Sequence, residues 1–405
     1  MELFLGNNLI TRILFFGAVV FISIDFFVTV FTIFYQRYWY GRVFRPKFDN
    51  SFQPKCSIIV PCKGIPKDLG KNLEGFFELE YPDYEVVFVV ESEQDAALPV
   101  IKSIIEKKSN AKVAIAGLAT SCAQKNHNLL AALKFTDNPD VYVFADSDIR
   151  PDKQWLRELI LPLSLKKVTV TSGFRWLHAK KGTIGELTHS YINAFMYVLF
   201  SAACFFGGVG LWGGSMAIRR KDFEAFKVAE KWSRASVDDM SLSQVVLKNS
   251  GKAVLVPPCV VQSDDLIQTV GSSISWFERQ VMYFKTYQTP LYFLVIPLGI
   301  LMFTLVFLMP FALLGAISEN RTFFGLGGGA ALLFYVGELI TVSLYPFLGA
   351  MHRFPKFLIL QPIMRTAHAI GIIKTSLTNT ITWAGIKYNV NIRGEVVRIR
   401  RPDTD

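Results

Sequence analysis

The chain has 405 residues, 51% of them apolar and 14% aromatic, with five histidines, five cysteines and a formal net charge of +10. That balance is too apolar for an ordinary soluble enzyme of this length and points to a membrane protein. The basic residues flank apolar stretches, which favours an anionic bilayer surface over nucleic acid, and the scattered cysteines without CxxC argue for reduced thiols and against a disulfide framework or zinc site.

Leu9–Tyr35 is almost wholly apolar. At ~1.5 Å per residue it can cross a ~30 Å hydrocarbon core. Asp25 lies inside it and is expected to face a partner helix. Arg37, Arg42, Arg45, Lys47 and Lys55 follow, so the positive-inside rule puts this side in the cytoplasm.

From Cys56 the pattern changes to short apolar runs alternating with helical periodicity. Ser57–Pro61, Glu85–Val90, Val113–Ile115 and Val141–Phe144 read as strands, and Leu73–Leu79, Val100–Lys107 and Gln124–Leu133 as helices. This alternation predicts a right-handed, mostly parallel sheet covered by helices. There is no GxGxxG and no P-loop, so a diphosphate would have to be held by a metal and basic side chains. The fourth strand ends in Asp146-Ser147-Asp148, where open α/β sheets bind ligands. Side chains at i and i+2 share a face, and such a pair can hold a hard divalent cation and, through it, a phosphate. The alternative is a strand end capped by Asp before the turn at Pro151.

Trp155–Leu165 is expected as a helix and Val168–Gly173 as a strand. Gly182–Phe206 is a mixed aromatic segment interrupted by His189 and Asn193, and Gly207–Gly214 a flexible loop around Trp212. Ser215–Ile218 is a strand, and Ser236–Leu247 carries Asp238-Asp239 at a helix start, where acids also serve as plain caps. Ala253–Val256 and Val260–Val261 are short strands. Gly271–Tyr287 is amphipathic and expected along a membrane surface. Leu291–Ile317 and Phe323–Met351 are further spans, joined by a loop holding Arg321, and His352, Arg353 and Lys356 return the chain to the basic side. Phe357–Trp383, broken by Arg365, His368 and Lys374, is expected as an interfacial helix before a basic tail.

The ordered set SIIVPCKG, VVFVVESEQD, ADSD, WGGSMAIRR, VDDMSL and ERQVMY, closed by ITWAGIKYNV, spans about Lys55 to Val390. It resembles the membrane-bound GT-A glycosyltransferases of family two, in their ceramide-glucosyltransferase-like and hopanoid-type branch. The resemblance implies an α/β fold: a GT-A nucleotide-sugar-binding domain with a mostly parallel central sheet, plus three transmembrane helices and interfacial amphipathic helices. The expected division is 1–50 transmembrane helix and basic linker, 51–270 cytoplasmic catalytic domain, 271–290 interfacial segment, 291–351 two transmembrane helices, and 352–405 interfacial helix and basic tail.

Carried onto this sequence, the resemblance implies that Pro61, Lys63, Glu91, Glu93 and Asp95 line the uridine, with Lys125 and Asn128 bordering the nucleotide. Asp146 and Asp148 would hold Mg2+ or Mn2+, Asp148 most directly, and Asp239 would be the general base. Trp212, Gly213 and Asp238 would meet the acceptor, and Arg279, Gln280 and Tyr283 would close over the diphosphate. Two departures stand out: the first acidic motif reads ESEQD, and Met282-Tyr283 stand where the pattern has Arg-Trp. The implied activity is inverting transfer of a hexose, glucose foremost, from a UDP-sugar to a hydroxyl of a membrane lipid of ceramide or diacylglycerol type. The implied protein is multi-pass, with its catalytic domain cytoplasmic (at the inner membrane if the source is bacterial), and no nucleic-acid partner is expected. The alternatives are a processive polysaccharide synthase of the cellulose or hyaluronan type and a non-catalytic membrane scaffold with a degenerate transferase domain.

Overall fold

The computed structural model describes residues 9–263, 269–317, 327–348 and 354–402. The chain divides into two compact units, one of Gln36–Trp176, Leu199–Asp265 and Asn379–Asp405, the other of Met1–Tyr35, Leu177–Val198 and Leu266–Thr378.

The first unit is built on a seven-stranded sheet of order β3-β2-β1-β4-β6-β5-β7. Its strands are β1 (Cys56–Pro61), β2 (Tyr84–Val90), β3 (Ala111–Ile115), β4 (Val141–Ala145), β5 (Val168–Leu177), β6 (Ser215–Arg219) and β7 (Lys252–Ser263). β1, β2 and β4 are near-continuous apolar runs because both faces are covered: Ile58, Ile59, Val87, Val89, Val143 and Phe144 are all 0% exposed. β1 pairs in parallel with β2 on one side and β4 on the other, and β2 with β3. The chain therefore walks outward from β1 to β3 and then returns across β1 to β4, so the loops leaving β1 and β4 diverge. That is the switch point where an open α/β sheet has its ligand crevice. Beyond β4 the sheet turns antiparallel, with β4 on β6 and β5 on β6. The expectation of a mostly parallel sheet holds for its first half.

Two strand expectations are corrected. β5 runs four residues past Gly173, to Leu177, and β7 is one strand through Pro257-Pro258, where two were expected. β7 lies at the sheet edge, where a missing N–H costs no ladder bond. The expected helix Leu73–Leu79 instead covers Leu69–Gly75, and Gly182–Phe206 holds an unbroken helix, Ile184–Phe205.

The C-terminal residues expected as a basic tail form a second antiparallel sheet of β8 (Thr380–Trp383), β9 (Ile386–Val390) and β10 (Val396–Arg400). Ala384 and Gly385, with φ of 48° and 80°, make the two-residue hairpin between β8 and β9. The Gln124 backbone N–H donates to Tyr388 Oη at 3.2 Å, and Arg401 Nη2 donates to Ala119 O at 2.8 Å. The sheet thus rests against the start of the helix Gln124–Ala132.

The second unit is helical. Among the described residues, three helices are long and apolar enough to cross a membrane, within Leu9–Lys47, Tyr292–Pro310 and Gly329–Leu348. The ends Phe323 and Met351 of the third expected span lie outside the described residues, as do Arg321, His352 and Arg353. Close packing depends on glycine: a Cβ on Gly337 would come within 2.5 Å of Ile22, and one on Gly299 within 2.6 Å of Ile372. Asp25 does face a partner. Its Oδ2 accepts from Arg365 Nη2 at 2.8 Å, and the same Nη2 is ion-paired with Glu338. All three residues are at most 3% exposed. The Arg365 guanidinium also stands 5.4, 5.1 and 5.6 Å from the rings of Phe21, Tyr191 and Phe195. The single interfacial helix expected over Phe357–Trp383 is therefore corrected. The region holds helices Phe354–Ile359 and Gln361–Thr375 followed by β8, and Arg365 and His368 are interior side chains. The amphipathic Gly271–Tyr287 is the helix Val270–Tyr287, with Phe277, Val281 and Met282 buried.

Candidate active site

The site grows from the carboxyl end of β4. Ala145 is opposite Ser215 of β6, so the Gly213-Gly214 approach to β6 runs beside the acids that follow β4. The Asp146 N–H donates to Gly214 O at 3.3 Å. The contact requires glycine. A Cβ on Gly214 would overlap the Trp212 ring and sit 2.7 Å from Asp146 Oδ2, and one on Gly213 would overlap Asp238 Oδ2 and sit 2.9 Å from Lys125 Nζ.

Asp238 and Asp239 open the helix Asp238–Lys248, where the helix dipole suits acids. Lys125, from the helix Gln124–Ala132, lies between the two acidic motifs. Its Nζ is 2.8 Å from Asp146 Oδ1 and 3.0 Å from Asp238 Oδ2, and donates to Gly213 O at 3.3 Å. Burial opposes the charge on Lys125, but the carboxylates of Asp146 and Asp238 outweigh it and hold the ammonium above its ordinary pKa. Asp239 Oδ2 accepts from Gly213 N–H at 2.9 Å and Oδ1 from Met240 N–H at 2.6 Å. Burial, then the Asp238 charge, push the Asp239 carboxyl up to about 7, against the pull of Lys125. Burial also raises Asp148, opposed by Arg175.

Asp148 Oδ2 is ion-paired with Arg175 of β5, whereas its Oδ1 is buried without a hydrogen-bond partner among the described residues. No group of three or more His, Cys, Asp or Glu able to hold a metal occurs among the described residues. Two carboxylates at i and i+2 with one orphaned oxygen fit a hard cation that draws its other ligands from water and phosphate.

The other expected residues differ in the contacts they make. Lys63, just after Pro61 of β1, is 3.0 Å from both Glu91 oxygens, and Asp95 Oδ1 accepts from the Gly64 and Ala97 N–H groups at 2.9 Å. Glu93 is exposed. Asn128 Oδ1 accepts from Gln124 Nε2 at 2.8 Å. Trp212 is anchored through its N–H to Ser172 Oγ at 2.9 Å. Arg279, Gln280 and Tyr283 belong to the helical unit, on Val270–Tyr287. Two contributors carry no motif. Arg175 was missed because it follows Gly173, where the apolar run seemed to stop. Gln124 was seen only as a helix start, yet its amide accepts from Ala119 N–H and donates to Gly117 O, both at 2.9 Å.

The sequence model of glycosyl transferase family 21 matches residues 24–396. Ceramide glucosyltransferase 1 of Caenorhabditis elegans is 24% identical over 64% of this chain and 55% of its own length, and ceramide glucosyltransferase 3 of the same organism is 30% identical over 32% and 28%. The chain thus spans about half of the first relative and less of the second. Among solved structures, a mannosyltransferase from Pyrobaculum calidifontis in complex with GDP-Man and Mn2+ superposes with a TM-score of 0.52 at 15% identity, over 90% of this chain and 98% of its own. The GT-A fold expected from the sequence is the fold found.

Proposed function

The chain belongs to glycosyl transferase family 21, and from that membership we propose that it is an inverting hexosyltransferase, moving a hexose, glucose foremost, from a UDP-sugar to a hydroxyl of a membrane lipid of ceramide or diacylglycerol type. The observation that carries this reading is Lys125, which ties Asp146 to Asp238 and so brings a metal-binding type of motif next to the raised carboxyl of Asp239.

In this reading Asp148 and Asp146 would hold Mg2+ or Mn2+, which would supply Lewis-acid stabilisation of a departing nucleoside diphosphate. Asp239 takes the proton of the acceptor hydroxyl. A carboxyl raised to about 7 holds that proton more readily than an ordinary Asp, and a well-placed base contributes ~10²–10⁴-fold. Lys125 keeps donor and base in one geometry, which matters because small misplacements of reacting groups are costly. The loop after Pro61, fixed by the Lys63–Glu91 pair and by Asp95 on Gly64 N–H, borders the uridine with Glu93 and Asn128. Trp212, Gly213 and Asp238 face the acceptor, and Arg279, Gln280 and Tyr283 act on the diphosphate. A single base without a carboxylate nucleophile implies one displacement and inversion at the anomeric carbon.

The membrane part of the reading is supported by three apolar helices of spanning length. Arg37, Arg42, Arg45, Lys47 and Lys55 beside the first of them support a cytoplasmic catalytic unit. The test is to incubate the purified protein with UDP-glucose, Mn2+ and either ceramide or diacylglycerol, and measure UDP release and lipid products. Lipid-dependent UDP release with a one-sugar product is expected. Release without lipid, or a polymeric product, would overturn the assignment.

A further inference from the structure

The cations of the catalytic unit are unequally engaged. Lys125 Nζ lies within ion-pair distance of Asp146 and Asp238 and donates to Gly213 O, so three oxygens surround it. Lys63 is held by both oxygens of Glu91. Arg175 differs: the ion pair found for it is with Asp148, the acid proposed to meet the metal most directly. Its guanidinium stands 5.8 Å from the centre of the Trp212 ring, and its side chain is 20% exposed.

We propose that Arg175 is a diphosphate-binding cation of this site, exchanging its ion pair with Asp148 for a phosphate oxygen when a metal and nucleotide are bound. The inference rests on the proposed use of a metal-held UDP-sugar. A guanidinium and a divalent ion on one carboxylate repel each other, so filling the orphaned side of Asp148 loosens the arginine. The Trp212 ring lies 5.8 Å from the guanidinium, and the same planar fork that matches a carboxylate matches a phosphate. No bond is made or broken; the change is an exchange of ionic partners.

The test uses the full chain in detergent, with Mn2+ alone and then UDP at saturating Mn2+ as probes, read by calorimetry and by the Mn2+ electron paramagnetic signal. In Arg175→Gln, Mn2+ alone is expected to bind several-fold more tightly, because a competing cation is gone. UDP is expected to bind about ten-fold more weakly, the equivalent of ~1.4 kcal/mol. Arg175→Lys, which keeps the charge and loses the fork, is expected to leave Mn2+ affinity near wild type and recover part of the UDP affinity. It also serves if the Gln variant does not fold. Unchanged UDP affinity in both variants, or Mn2+ and UDP affinities falling together, would overturn the role of Arg175 and leave the function intact. Failure of the wild type to bind UDP with Mn2+ would overturn both.

Discussion

Lys125 Nζ stands 3.0 Å from Asp238 Oδ2 while the same nitrogen holds Asp146 Oδ1 at 2.8 Å. One ammonium therefore carries the ionic link between the acids after β4 and the acids that open Asp238–Lys248. Asp238 is 2% and Lys125 15% exposed at the side chain, and breaking a buried pair by removing one partner strands the other charge. Lys125→Met is expected to lower unfolding free energy by about 3 kcal/mol, measured by denaturant titration in detergent. Equal stability of the variant and wild type would show that the acids do not depend on this lysine.

The raised carboxyl of Asp239 has a kinetic consequence. A base works in its deprotonated form, so kcat/KM is expected to rise with pH and level off above an apparent pKa of about 7. The acidic limb of kcat/KM reports the free protein. Removing the neighbouring negative charge in Asp238→Asn is expected to move that limb to lower pH. A pH–rate profile settles it, and a limb that moves upward would contradict the assignment of Asp239.

Gly213 is a matter of space. Its N–H serves Asp239, and a Cβ there would collide with Asp238 Oδ2. Gly213→Ala is expected to cut kcat by about 100-fold, because a displacement near 1 Å at a reacting group is that costly. Steady-state assays of kcat and KM check it, and a near-normal kcat would mean that the loop yields without disturbing the base.

In the helical unit, Arg365→Leu leaves Asp25 and Glu338 facing each other in an apolar surround and is expected to cost ~3–5 kcal/mol. The triple replacement with Asp25→Asn and Glu338→Gln is expected to regain most of that loss. Thermal unfolding of the single and triple variants in detergent compares them. A triple variant no better than the single one would show that Arg365 acts through its ring contacts and not through charge.

Much of the first unit was legible in the sequence for a physical reason. A strand covered on both faces must be apolar throughout, so β1, β2 and β4 declare themselves, and polar groups at their carboxyl ends are then conspicuous. Asp146, Asp148 and the helix-opening Asp238-Asp239 were found this way. Arg175 was hidden because a cation inside a strand looks like a strand end; only its ion-pair partner Asp148 makes it permissible. The C-terminal sheet was hidden by its charge. Its alternation of buried Ile386, Tyr388 and Val390 with solvent-facing Lys387 and half-buried Asn389 has the period of a strand, but the arginines around it read as a tail. In the sequence, Arg365 and His368 read as interruptions of an apolar helix. Asp25 and Glu338 lie hundreds of residues away or on another helix, and sequence spacing does not reveal such pairings.

The proposed pairing of Asp148 on the donor with Asp239 on the acceptor puts both roles in one site. Its most direct test is to compare Asp148→Ala with Asp239→Asn for Mn2+-dependent UDP binding and, in the same preparations, for a single turnover of sugar onto lipid. Asp148→Ala is expected to lose UDP binding, whereas Asp239→Asn is expected to bind UDP like the wild type and to transfer ~10²–10⁴-fold more slowly. Undiminished transfer by Asp239→Asn, or undiminished UDP binding by Asp148→Ala, would contradict it.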